Sequence, residues 1–300
     1  MSTDIRFWNP TTSRLEKELV YGEKWLRFSY ENCLGKIGLW AMVKRTWFSK
    51  WYGKRMSQPW SQSKIKPFIE KYKLDQEEFL DAPSSFRSFN EFFYRKLTTK
   101  ARPINEDESY AVFPADGRHL AIPNLSKVRH IYAKGQSFDL EKLFQSNELA
   151  RHYKEGSMLI SRLCPVDYHR FHFALSGKLG KTNRINGNLL SVSPIALRKR
   201  LSIFWENKRY LSLLEHTSIG EVAQILVGAT CVGSVHLTAS EDTSVQKGQE
   251  YGYFSFGGSC VITIFPPHSV AFDRHLLEWS EKGVETYGQM GERMAKILSF

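Results

Sequence analysis

The stretch Lys247-Gly248-Gln249-Glu250-Tyr251-Gly252-Tyr253-Phe254-Ser255-Phe256-Gly257-Gly258-Ser259-Cys260-Val261-Ile262-Thr263-Ile264-Phe265 decides how the chain is read. Its last five residues are an unbroken apolar and β-branched run, the pattern of a strand buried on both faces. A Gly-Gly pair stands directly before Ser259. Glycine reaches backbone conformations barred to other residues, so Gly257-Gly258 reads as a tight corner feeding a strand. Such a corner can press the Ser259 hydroxyl toward the carbonyl of Gly258. Alone, the triplet is an ordinary turn signal.

Outward from this stretch, residues from about Tyr110 to Pro267 keep the same texture. Short β-branched runs alternate with turn signals such as Asn186-Gly187-Asn188. Residues 13–98 read as helical. Within them Phe89, Phe92, Phe93 and Leu97 recur at helical spacing and make one apolar face, with Ser88 as N-cap and Glu91 three residues on. The last thirty residues read as loop plus a terminal helix carrying Met294, Ile297 and Leu298 on one side. Strands and helices are segregated, so the expected class is α+β. A helical region, 1–98, precedes a mainly antiparallel, β-rich catalytic domain, 99–300.

Composition narrows the partners. The 300 residues carry 42% hydrophobic and 24% charged side chains, ordinary for a packed protein. The net charge of +11 favours an acidic partner: nucleic acid, an anionic membrane or an anionic substrate. The segment Glu23–Met56 interleaves Trp25, Phe28, Trp40, Trp47 and Trp51 with Lys24, Arg27, Lys44, Arg45 and Arg55. That mixture suits a helix lying in a bilayer surface, or a helical hairpin packed on the domain behind it. The stretches 222–240 and 251–272 are uncharged, but Gly228, Gly233, Gln224 and hydroxyl residues break the first, Gly257-Gly258 and Pro266-Pro267 break the second, and both read as buried strands with turns rather than membrane spans. Cys33, Cys164, Cys231 and Cys260 show no CxxC spacing, so no zinc site or disulfide framework is indicated. Residues 1–20 lack the apolar core of a secretory signal.

Two further segments carry chemistry-bearing residues. Phe113-Pro114-Ala115-Asp116-Gly117 is turn-like and holds a carboxylate. Cys164-Pro165-Val166-Asp167-Tyr168-His169-Arg170-Phe171-His172 places two histidines three apart among charged and aromatic neighbours. On one regular strand the two rings would face opposite ways. For both to serve one pocket the segment must bend, and Pro165 makes a bend plausible.

Taken in order, these segments resemble the phosphatidylserine decarboxylase family. The resemblance runs from Ser88 to about Pro267 and rests on Phe-Asn-Glu-Phe-Phe at 89–93, Pro-Ala-Asp-Gly at 114–117, Asp-Tyr-His-Arg-Phe-His at 167–172, Val-Gly-Ala at 227–229, Val-Gly-Ser at 232–234 and Lys-Gly-Gln-Glu-Tyr-Gly-Tyr-Phe at 247–254. It implies self-cleavage between Gly258 and Ser259 into a β chain, 1–258, and an α chain, 259–300, which stay together as a heterodimer. It implies that Ser259 becomes a covalent pyruvoyl group, the cofactor, which takes the substrate amine as a Schiff base and accepts the electrons freed as carbon dioxide leaves. It assigns His172 as the base in cleavage, Asp116 as its orienting carboxylate and His169 as a proton-transfer group in decarboxylation, with no metal. The expected partners are phosphatidylserine and an anionic membrane surface, with no nucleic acid and with a higher oligomer left open. The expected location is peripheral, on the cytoplasmic side of a bacterial-type inner membrane. The chain departs from the family at Cys260, where threonine is usual.

On residues alone, three rivals stand. A pyruvoyl enzyme acting on a soluble amino acid would not need the basic, tryptophan-rich N-terminus. A serine hydrolase would keep one intact chain. A membrane-binding module with a decayed site would neither cleave nor release carbon dioxide.

Overall fold

The computed structural model describes residues 4–20, 46–127, 131–132, 138–229, 235–257 and 259–298, with positions 23, 27, 28 and 32 between the first two stretches; of 46–50 only the backbone is described. Gly258, Cys33, Cys231, the Val-Gly-Ser at 232–234 and most of Glu23–Met56 lie outside the described residues. Among the described residues strand outweighs helix.

Among the described residues eleven strands form one sheet. From one edge they run Ser244–Val245, Gly177–Leu179, Arg209–His216, Gly220–Gly228, Ser259–Phe265, Ser157–Leu163, Gly117–Ile122, Glu285–Gly288, Arg6–Asn9 and Arg14–Lys17; Asn183–Ile185 pairs with Arg209–His216 off this path. Every pairing in it is antiparallel except Arg6–Asn9 with Glu285–Gly288. Ser259–Phe265 lies inside this sheet and is buried at all seven positions. Its alternate residues feed two cores. Cys260, Ile262 and Ile264 join one, with Ile160 and Ile225; Val261 and Phe265 join the other, with Leu159, Phe171 and Phe254.

Two three-stranded sheets flank it. One runs Val235–Leu237, Glu250–Phe254, Arg170–His172; the other Val270–Phe272, Arg293–Ile297, Tyr110–Val112. The helices Thr46–Met56, Ile65–Tyr72 and Phe89–Phe93 gather with a third core of Phe68, Phe79, Phe86, Phe89, Phe92 and Phe93, which Phe256 completes. Ser88 caps Phe89–Phe93 as its sequence foretells: the Glu91 N–H donates to Ser88 Oγ at 3.2 Å.

The structure departs from the sequence reading at both ends. Residues 6–17 form a β-hairpin on the main sheet, within the region read as helical. A buried ionic network fixes the chain that follows. Arg162 binds Glu18 and Glu285, and Arg118 binds Asp167. Burial raises the Glu18 pKa, but Arg162 and Arg118 outweigh it and hold the carboxyl at about 2. The expected terminal helix is also corrected. The helix lies earlier, at Arg274–Glu281, and Arg293–Ile297 is a strand. Pairing with Val270–Phe272 on one side and Tyr110–Val112 on the other satisfies its backbone, and this outweighs the helix-like spacing of Met294, Ile297 and Leu298.

Candidate active site

Three elements meet at the corner before Ser259. The chain arrives along Glu250–Phe254, where the Phe254 N–H donates to the His169 carbonyl at 3.0 Å. Phe256 is then seated in the aromatic core, against Phe89 and Phe93 with ring centroids 5.3 and 4.9 Å away. Its N–H donates to Asn90 Oδ1 at 2.8 Å, and Asn90 Nδ2 donates to Ser57 Oγ at 3.0 Å. Gly257 takes φ of +134°, a conformation open in practice only to glycine. Past Gly258, Ser259 opens its strand, opposite Gly228 on one side and Leu163 on the other, with no exposed surface.

Ser259 Oγ lies 3.4 Å from His169 Nδ1. The other ring nitrogen, Nε2, is 2.9 Å from the Cys164 carbonyl, an acceptor, so Nε2 carries the proton and Nδ1 faces the serine with its lone pair. Phe93 stacks on the imidazole with centroids 3.9 Å apart and fixes its plane. Burial, with help from the Arg95 charge, pulls the His169 pKa down to about 3. The ring is therefore neutral at physiological pH, as a proton acceptor must be.

His172 ends the short strand Arg170–His172, and its N–H donates to the Pro114 carbonyl at 2.7 Å. That bond ties it to the turn carrying Asp116. Its ring packs on Tyr168 at 5.8 Å, and its buried Nδ1 has no hydrogen-bond partner. Burial, with the Arg170 charge adding, pulls its pKa down to about 4. Asp116 is 1% exposed. It accepts from Arg102 Nε at 2.9 Å, from Arg102 Nη2 at 2.6 Å and from the Met290 N–H at 2.9 Å. Burial pushes its carboxyl up, while Arg102 and Met290 favour the carboxylate. Arg102 is itself raised by the pairing, and we read the two as an ion pair.

Of the four expected side chains, the structure thus brings Ser259 and His169 together. No hydrogen bond joins Asp116 to His172, or His172 to Ser259, among the described residues. The chain does bend between the two histidines, with His169 before the strand and His172 on it. Cys260 lies on the opposite face of its strand from Ser259, wholly buried among Ile225 and Ile262. Burial raises its thiol well above the usual range, so it acts as a small apolar side chain. Phe93, Asn90, Phe256 and Arg102 were not read as site residues from sequence. The first two lie in a motif whose spacing signalled only an apolar face, and Arg102 carries no local signal.

A family model described as phosphatidylserine decarboxylase matches residues 89–295. The chain belongs to the phosphatidylserine decarboxylase family. The match covers every segment of the corner: Phe89–Phe93, the Asp116 turn, both histidines and the Ser259 strand. The chain is 41% identical over 289 residues to a phosphatidylserine decarboxylase proenzyme of Fusobacterium nucleatum, with 96% of each chain covered. It is 40% identical to the proenzyme of Clostridium novyi over 98% of this chain and 100% of that one. The Chlamydia muridarum proenzyme is also 40% identical, over 99% of both.

Proposed function

We propose that this chain cleaves itself between Gly258 and Ser259 and then decarboxylates phosphatidylserine to phosphatidylethanolamine and carbon dioxide. The observation that carries this reading is the fully buried Ser259, placed behind a positive-φ glycine and facing a neutral imidazole at 3.4 Å. Cleavage begins when Ser259 Oγ bonds to the Gly258 carbonyl carbon and its proton passes to a base. The peptide nitrogen leaves, an ester forms, and β-elimination frees Gly258 as a new C-terminus. The dehydroalanine left at 259 tautomerises to an imine, which takes up one water and releases ammonia, leaving a pyruvoyl group. This group is no larger than the serine it replaces, so the enclosed position fits it. When present, it supplies the electron sink that the chemistry of carbon dioxide loss requires.

The protein's own residues divide the proton work. His169 directs the lone pair of Nδ1 at residue 259, which supports a role in taking up a proton from the substrate amine and passing it to the substrate carbon after carbon dioxide departs. His172, neutral and with an unpartnered Nδ1, is the base proposed for cleavage, with Asp116 in support, as the resemblance implies. A second reading has a specific observation behind it: the 3.4 Å contact favours His169 as the cleavage base. The two readings differ in which histidine variant stays uncut.

After cleavage the two chains stay one molecule. The α-chain strand Ser259–Phe265 is hydrogen-bonded on both sides to β-chain strands, Gly220–Gly228 and Ser157–Leu163. A peripheral membrane position is supported by the +11 charge and by Trp51 and Trp60, each 47% exposed with the Arg55 guanidinium 5.2 Å from its ring. Among the described residues no helix is long and apolar enough to cross a membrane. The reading is tested by release of labelled carbon dioxide from carboxyl-labelled phosphatidylserine in vesicles. Wild type is expected to release it and Ser259→Ala to release none; equal release from both would contradict the role of Ser259.

A further inference from the structure

Arg95 is a buried cation with no anion of its own. It follows the helix Phe89–Phe93 and is 5% exposed. Its guanidinium lies 4.8 Å from each of the Phe79 and Phe92 rings. Neither Nε nor Nη1 has a hydrogen-bond partner. Its neighbours each have a carboxylate partner. Arg102 is held by Asp116 and Glu78, and Arg118 by Asp167. A guanidinium is all donors, and a buried one without acceptors is costly. Such an orphan in a native protein calls for a missing partner.

Arg95 lines a cavity of about 420 Å³ between the helical segment and the main sheet. Tyr72 and Leu74 form part of one wall, and Asp116, Tyr168 and Tyr287 part of another. The volume is in the range of small-molecule sites. Five carboxylates also line it: Asp116, Asp167 and Glu78 are engaged by Arg102 or Arg118, Glu16 accepts from Asn9 and Thr12, and Asp75 accepts from the Glu77 N–H. The cavity adjoins the catalytic cluster through Asp116 and through Tyr168, whose ring packs on His172.

A planar fork of donors suits an oxyanion, either carboxylate or phosphate. Phosphatidylserine carries both. Its carboxylate loses its charge as carbon dioxide forms, so a cation fixed on that group would hold the ground state more tightly than the transition state. The phosphodiester keeps its charge throughout. We infer that Arg95 is the receptor for a phosphate-class oxyanion in this cavity. The inference rests on the decarboxylase reading only for naming the lipid headgroup as a source; free phosphate offers the same chemistry.

The test uses the full chain as wild type, Arg95→Met and Arg95→Lys. Intact mass reports cleavage of each, and wild-type carbon dioxide release reports the decarboxylase reading separately. Inorganic phosphate, matched in ionic strength with sodium chloride, is expected to raise the wild-type thermal midpoint and to leave Arg95→Met unmoved. With phosphatidylserine in mixed micelles, Arg95→Met is expected to raise KM about tenfold, with the loss falling on KM rather than kcat and Arg95→Lys intermediate. A raised KM together with competitive inhibition of wild type by phosphate assigns the site to the headgroup. A phosphate shift that Arg95→Met abolishes at unchanged KM assigns it to free phosphate. A wild-type midpoint unmoved by phosphate, with KM unchanged in the variants, overturns the inference. Should Arg95→Met fail to fold, the wild-type shift and the Arg95→Lys KM decide by the same criteria. A wild type that neither cleaves nor releases carbon dioxide sinks the decarboxylase reading, and the phosphate shift still tests Arg95.

Discussion

His169 and His172 are chemically alike and differ in reach, so substitution should separate them. His172→Ala is expected to leave the chain uncut. His169→Ala is expected to give two chains that release carbon dioxide at least about a hundredfold more slowly, the usual scale of a lost acid or base. Gel analysis and carbon dioxide release read the two effects independently; an uncut His169→Ala with a normally cleaved His172→Ala would reverse the assignment. Their burial also sets a pH dependence. His119, His169 and His172 are held at about 3, 3 and 4, against 6.5 when unfolded, with burial the main cause in each. Below pH 6.5 the unfolded chain takes up protons that the folded one refuses, so stability falls with falling pH down to about pH 4. Each such histidine costs about 1.4 kcal/mol per pH unit in that window, or about 4 kcal/mol for the three at pH 5.5. Glu18, held at about 2, contributes stability above 4.5 that is lost only as pH falls from there toward 2, so it does not change between pH 7.5 and 5.5. Urea midpoints at pH 7.5 and 5.5 check this; equal midpoints would contradict neutral, buried rings.

At the scale of elements, the corner before Ser259 is suspended between two supports. Phe256 is locked into the aromatic core of the helical region, and the strand from Ser259 is locked into the main sheet. Gly257, at φ of +134°, follows the first support directly. Phe256→Ala is expected to cost about 3–5 kcal/mol of stability and to slow cleavage, since it frees one support. Urea unfolding and a time course of chain separation measure the two effects, and an unchanged cleavage rate would detach the anchor from the chemistry. The strand was legible because Val261–Phe265 is an uninterrupted β-branched and apolar run that only a doubly buried strand satisfies. The anchor was not, because Phe256 meets Phe89 and Asn90 across more than 160 residues of chain. The N-terminal hairpin escaped notice because Phe7 is the one buried residue of its two strands, so no alternation marks it. Arg293–Ile297 was mistaken for helix because two adjacent residues, Met294 and Ala295, are both buried, which breaks the period of two.

For the whole molecule, the motifs named the family and marked Ser259 as the serine proposed to react, while the wiring around it came only from tertiary contacts. The pairing of Asp116 with Arg102 and the isolation of Arg95 join segments with no shared local pattern. The same wiring governs how membrane attachment can be tested. Deleting residues 1–60 would remove the Arg6–Asn9 strand and Glu18, the buried partner of Arg162, and so disturb the sheet itself. Trp51→Ala with Trp60→Ala alters only half-exposed rings. It is expected to weaken binding to phosphatidylserine-containing vesicles severalfold with the thermal midpoint little changed, and unaltered co-sedimentation would remove these residues from the membrane surface. The central claim, that Ser259 breaks its own peptide bond to make the catalytic group, is tested most directly by intact mass spectrometry of active protein. Two chains are expected, 1–258 and 259–300, the shorter lighter by one ammonia than a peptide with a free serine N-terminus. A single unbroken polypeptide that still releases carbon dioxide from phosphatidylserine would contradict it.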